Sequence, residues 1–114
     1  MKFKKNLLSS VIFAGLLFSG LASADSVAEG KKIAVDRKLG NCLTCHVIIN
    51  GGTLPGNIGP PLVGIKGRFT KQELNARLWD PTKIDKNTTM PPFGKHGILS
   101  KEQIKKVVDY IYTL

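Results

Sequence analysis

The chain has 114 residues, with seventeen Lys and Arg against eight Asp and Glu and a formal charge of +9. That length holds one small domain and leaves no room for a second. The basic balance suits an anionic partner, but one Trp and no interleaving of basic and aromatic residues argue against nucleic acid.

The N-terminal stretch reads as a leader. Lys2, Lys4 and Lys5 precede a mostly apolar run from Leu7 to Leu17, too short to span a bilayer comfortably, and Ala22-Ser23-Ala24 follows as an A-x-A cleavage site. Residues 1–24 are expected to be a secretory signal peptide and 25–114 the mature domain, with an uncleaved membrane anchor as the alternative. Cleavage lowers the formal charge from +9 to +6 and leaves 90 residues, which bury only a marginal core by themselves.

Ser26-Val27-Ala28-Glu29 then reads as a capping box, S/T-x-x-E/Q, opening a helix that runs to about Leu39 and stops at Gly40. The face Val27, Gly30, Ala34 is made of small residues, which permits close approach by another element. Directly afterwards comes Cys42-Leu43-Thr44-Cys45-His46, the C-x-x-C-H attachment signature of a c-type haem. Two residues between the thiols let one tight turn present both sulfurs along an edge of the porphyrin, with His46 next in line as proximal iron ligand. A redox C-x-x-C is a second reading, but the chain lacks the βαβ pattern that would accompany it. A zinc half-site is a third, and it needs more ligands than the one other histidine, His96, can supply. A disulfide between Cys42 and Cys45 would close too small a loop to staple a domain. Haem attachment takes place on the periplasmic side in bacteria, which agrees with the leader, and a covalently held porphyrin adds the apolar bulk that 90 residues lack.

Residues 47 to 68 are irregular, punctuated by Gly51-Gly52, Pro55-Gly56, Gly59-Pro60-Pro61 and Gly64. A ligating imidazole needs an acceptor for its other nitrogen; this rigid loop offers one, and Pro60 is the candidate carbonyl. Thr70-Lys71-Gln72-Glu73 opens a second helix, Lys71 to Trp79, ended by Asp80-Pro81. Trp79 has two readings, an indole donor to a haem propionate or a plug that closes the core beside this helix.

A second loop, Asn87 to Gly97, carries Pro91, Pro92 and Gly94 together with Met90, the one methionine of the mature chain. A loop hung with prolines loses little entropy on ordering and can press a thioether onto iron. Such a soft ligand favours Fe(II) and raises the reduction potential. Met90 is therefore the expected distal ligand, with His96 as the alternative. Ser100-Lys101-Glu102-Gln103 opens the last helix, in which Ile104, Val107, Val108 and Ile111 fall on one face and lysines on the other. No run has a strand period. The expected fold is all-α, about three helices with long loops wrapped around a covalently attached haem.

Together these residues resemble the class I c-type cytochromes, over essentially all of residues 25 to 114. That resemblance implies that Gly30 is the glycine where the terminal helices cross and Tyr110 the aromatic packed on it. A narrower resemblance, to the sulfur-oxidation cytochromes SoxX, is carried by Gly-Asn-Ile-Gly-Pro-Pro-Leu at 56 to 62, Leu-Trp-Asp-Pro-Thr at 78 to 82, Asn-Thr-Thr-Met-Pro-Pro-Phe-Gly-Lys-His-Gly-Ile-Leu-Ser at 87 to 100 and the ending at 107 to 114. It implies a periplasmic electron carrier of one haem c, paired with a SoxA-like cytochrome subunit. That complex joins thiosulfate to a cysteine of a SoxYZ-like carrier, as an L-cysteine S-thiosulfotransferase, and passes electrons to a downstream acceptor. Carried over, Cys42 and Cys45 hold the haem, His46 and Met90 ligate iron, and no residue here is catalytic for the sulfur chemistry. The alternatives are a free cytochrome feeding a terminal oxidase, and a haem enzyme or gas sensor with an open distal site.

Overall fold

The computed structural model describes residues 23–114. The expected leader, 1–24, therefore lies outside the described residues except for Ser23 and Ala24. Three helices form, α1 (Ala24–Val35), α2 (Lys71–Trp79) and α3 (Lys101–Ile111), with single 3-10 turns at Cys42–Thr44, Ile65–Gly67 and Pro81–Lys83. No strand occurs among the described residues. The fold is all-α, and no described helix is long and apolar enough to cross a membrane.

Helices α2 and α3 begin at their capping boxes. The Thr70 hydroxyl accepts from the Glu73 N–H at 3.1 Å while the Glu73 carboxylate accepts from the Thr70 N–H at 2.7 Å. Ser100 and Gln103 make the same reciprocal pair at 3.1 and 2.9 Å. Helix α1 departs from expectation at both ends. Its cap is Ser23, which accepts from the Ser26 N–H at 3.1 Å, three residues ahead of the expected Ser26. Ser26 has another use: its hydroxyl donates to Asp109 on α3 at 2.7 Å. At the other end the helix stops at Val35 rather than near Leu39, because Asp36 turns extended (ψ 122°) and its carboxylate takes the Lys38 N–H at 2.8 Å. Such a local side-chain bond competes with helix continuation. Gly40 still closes the segment, donating to the Ile33 carbonyl at 3.0 Å.

The terminal helices cross at Gly30. A Cβ there would strike the Lys106 carbonyl oxygen and come within 3.0 Å of Tyr110 Cβ, so only glycine admits this approach. Ala34, Ile104, Val107, Val108 and Ile111 are buried about the crossing. Each large aliphatic side chain withdrawn from water contributes about 1.5–3 kcal/mol. One carboxylate then ties all three helices: Asp109, 7% exposed, accepts from Ser26 of α1 and from the Lys71 ammonium of α2 at 2.9 Å. Burial by itself would push Asp109 up, but the Lys71 ammonium and the Ser26 hydroxyl outweigh it and hold the carboxyl below its usual range.

Candidate functional site

The two long loops and the inner faces of α2 and α3 enclose a cavity of about 740 Å³. Its walls carry Cys42, Cys45, His46, Pro60 and Met90, so five of the six expected site residues come to one place. Leu74 and Leu78 of α2, Phe69, Phe93 and Ile111 of α3 make the wall largely apolar.

The Cys42–Thr44 turn is entered through Asn41 in the left-handed region (φ 49°), which asparagine tolerates better than most side chains. The Cys45 and His46 N–H groups both donate to the Cys42 carbonyl, at 3.2 and 2.9 Å, winding the motif into one coil. No disulfide joins Cys42 and Cys45. Burial pushes the Cys42 thiol up to about 11. That is the reverse of the depressed thiol a redox C-x-x-C requires. Nor is the zinc reading supported, since no group of three or more His, Cys, Asp or Glu stands together among the described residues.

Behind the motif, the Gly56 N–H donates to the Leu43 carbonyl and the Gly59 N–H to the Cys45 carbonyl, both at 2.7 Å. These bonds bring Pro60 to His46, and its carbonyl lies 2.6 Å from Nδ1. A carbonyl only accepts, so Nδ1 carries the proton and the lone pair of Nε2 is free for a metal. Gly59 lies flat on the imidazole. A Cβ there would strike Cε1 and come within 2.7 Å of Nδ1.

On the other loop Met90 is half-buried and its N–H donates to the Thr88 hydroxyl at 3.1 Å. Trp79, the sixth expected residue, does not line the cavity. It is 36% exposed, its ring lies against Gly94, and the Lys101 ammonium stands 5.9 Å from it. His96 is exposed and likewise absent from the cavity wall. Next to Trp79, Asp80 is 2% exposed. The Thr82 hydroxyl, helped by Lys95 at 3.5 Å, holds its carboxyl below the usual range despite burial.

Two cavity residues escaped the sequence reading. The guanidiniums of Arg68 and Arg77 stand over the Phe69 ring, 5.5 and 4.9 Å from its centre, and both side chains reach the cavity. Arg77 Nε is buried with no partner among the described residues. Leaving such a donor unpaired costs about 1–3 kcal/mol, so an anionic acceptor belongs beside it. The available signal was a cation among the apolar positions Leu74 and Leu78 of one helix face. Two thiols in one turn, an imidazole with a free Nε2, a thioether and an unpaired guanidinium fit an iron porphyrin with its propionates.

A family model for cytochrome c matches residues 27–114. The chain belongs to the cytochrome c family. This is a family of electron carriers that bind covalently attached haem c, so the cofactor is haem c, and Cys42, Cys45 and His46 form its C-x-x-C-H motif. Among solved structures the chain is similar to SoxXA from P. pantotrophus, with a TM-score of 0.69 and 30% identity, covering 75% of this chain and 79% of that one. Among curated cytochromes it is 27% identical to cytochrome c2 of Rhodospirillum rubrum, over 97% of this chain and 98% of that protein. It is also 34% identical over 76 residues to an uncharacterized lipoprotein of Aquifex aeolicus, a match that takes in 66% of this chain and 37% of the lipoprotein's length.

Proposed function

We propose that this cytochrome is a periplasmic one-electron carrier of thiosulfate oxidation, the SoxX-like subunit of a complex with a SoxA-like cytochrome. The observation that carries this reading is the likeness to SoxXA at 30% identity across three quarters of the chain. The stretches at 56 to 62, 78 to 82 and 87 to 100 support it from the sequence. The haem, when bound, supplies a reversible one-electron couple. Cys42 and Cys45 would hold it covalently, and His46 would present Nε2 to it while Pro60 fixes the ring. Met90 would supply its sulfur as a second ligand, and Arg77 would neutralise a propionate. With His46 and Met90 both supplied by the chain, the bound group would exchange an electron without a change of protein partners, which suits outer-sphere transfer. No residue of the chain takes part in the sulfur chemistry, which belongs to the SoxA-like partner and the SoxYZ-like carrier. A leader at 1–24 supports periplasmic localisation; its removal would take the Ser23 cap from α1, which would then begin at Asp25.

A second reading is a free carrier delivering electrons to a terminal oxidase, favoured by the nearly full-length likeness to cytochrome c2. Gentle affinity isolation of the tagged protein from thiosulfate-grown cells separates the two. A second cytochrome recovered in equal amount, with haem reduction that depends on thiosulfate and carrier protein, is the expected outcome. Recovery of the chain alone, still redox-active, favours the free carrier.

A further inference from the structure

The last carbonyls of a helix have no partner within it and must be satisfied from outside. Helix α2 has no glycine stop of its own; Asp80 follows at once, then Pro81. The donors come instead from the loop that carries Met90. The Gly94 N–H donates to the Leu78 carbonyl at 3.4 Å and the Lys95 N–H to the Trp79 carbonyl at 3.0 Å. Side chains reinforce the same seam. A Cβ on Gly94 would strike Cε3 and Cδ2 of Trp79 and lie 2.7 Å from Cζ3, so the glycine rests on the six-membered half of the indole. The Lys95 ammonium reaches the nearly buried Asp80 carboxylate at 3.5 Å.

We infer that the end of α2 is a latch that sets where Met90 stands, with Trp79 and Asp80 as positioning residues acting through Gly94 and Lys95. Only Pro91, Pro92 and Phe93 separate Met90 from the seam, and each proline locks its own φ. A clamp at Gly94 is thus transmitted to the thioether with little slack, and the Thr88 hydroxyl on the Met90 N–H steadies the other side. A weak ligand such as a thioether stays on iron only if the loop does not have to be ordered anew at each binding event. Trp79 thereby acquires a task other than meeting a propionate.

The inference rests on Met90 as distal ligand, and its test keeps the two apart. The thioether-to-iron charge-transfer band of the oxidised, haem-loaded protein is followed beside far-UV helicity through a urea titration. Gly94→Ala forces the Trp79 ring from its seat and is expected to lose more than half the band before urea is added, with helicity unchanged. Lys95→Met and Asp80→Asn keep every backbone donor and are expected to lose the band at lower urea than the helices melt. If Gly94→Ala does not fold, these two variants decide. Band and helicity lost together, at the midpoint of the unsubstituted protein, would overturn the latch while leaving Met90 in place. An unsubstituted protein without the band, or Met90→Ala that retains it, would overturn the ligand assignment and the latch with it.

Discussion

The two loops that wall the cavity are held in different ways. The proximal one, residues 41 to 62, is tied to itself: Gly56 and Gly59 reach back to Leu43 and Cys45, and Pro60 meets His46 fourteen residues earlier. The distal one, residues 87 to 98, makes only short turns within itself, His96 to Pro92 and Gly97 to Gly94, and is tied beyond them to a helix that precedes it, through Leu78 and Trp79. A self-tied loop carries its geometry in its own residues, whereas a helix-tied loop borrows it. The proximal side should therefore fail as a unit with attachment of the cofactor, and the distal side should loosen separately.

The largest test of that contrast is Gly59→Val. Its side chain has no space against the His46 ring. It should cost about 3 kcal/mol or more and sharply lower the yield of protein whose haem survives acid-acetone extraction. Normal yield and stability would show that the proximal loop yields where a self-tied loop should not. Met90→Ala acts next, and only on the distal side. Haem should remain attached, the thioether-to-iron band should vanish, the potential should fall, and carbon monoxide should bind the reduced protein readily. Arg77→Gln should leave both ligands in place. Loss of this partly buried cation should lower the potential and raise the apparent pKa of a propionate, read as a pH dependence of the midpoint potential displaced upward.

The smallest effect belongs to the helices rather than to either loop. Asp109 is held below the ordinary carboxylate value, so its contribution is present above about pH 4 and is lost as pH falls through its lower folded-state pKa. Lys71 is partly exposed, and solvent screening limits the gain to ~1 kcal/mol. Asp109→Asn should lose that amount at pH 7 and flatten the acid limb of a stability profile, with the haem spectrum unchanged.

Legibility in the sequence followed the same division. The starts of α2 and α3 and the buried face of α3 are spelled out by neighbours within one or two turns. The Gly59-Pro60 turn announces a carbonyl near His46, because loop and motif are close in sequence. Apart from the Gly30–Tyr110 crossing, which the family resemblance implies, long-range partners are not legible. Ser26 was drawn away from capping by Asp109, 83 residues on. Trp79 was drawn from the cavity by Gly94, whose missing side chain gives no hint of what rests on it. Arg77 is hard to pick out because a lone arginine on a short amphipathic helix ordinarily faces water; its place beside Leu74 and Leu78 is a faint signal, and the unpaired Nε adds the anion it needs.

The crossing at Gly30 also governs when the chain can finish folding. Lys106 and Tyr110, which receive that glycine, follow it by 76 and 80 residues. During synthesis α1 has made its apolar face but has nothing to lay it on, and the contact that covers it closes a loop of some eighty residues. A chain cut short before α3 leaves α1 permanently bare, a substrate for chaperones and proteases rather than a smaller working protein.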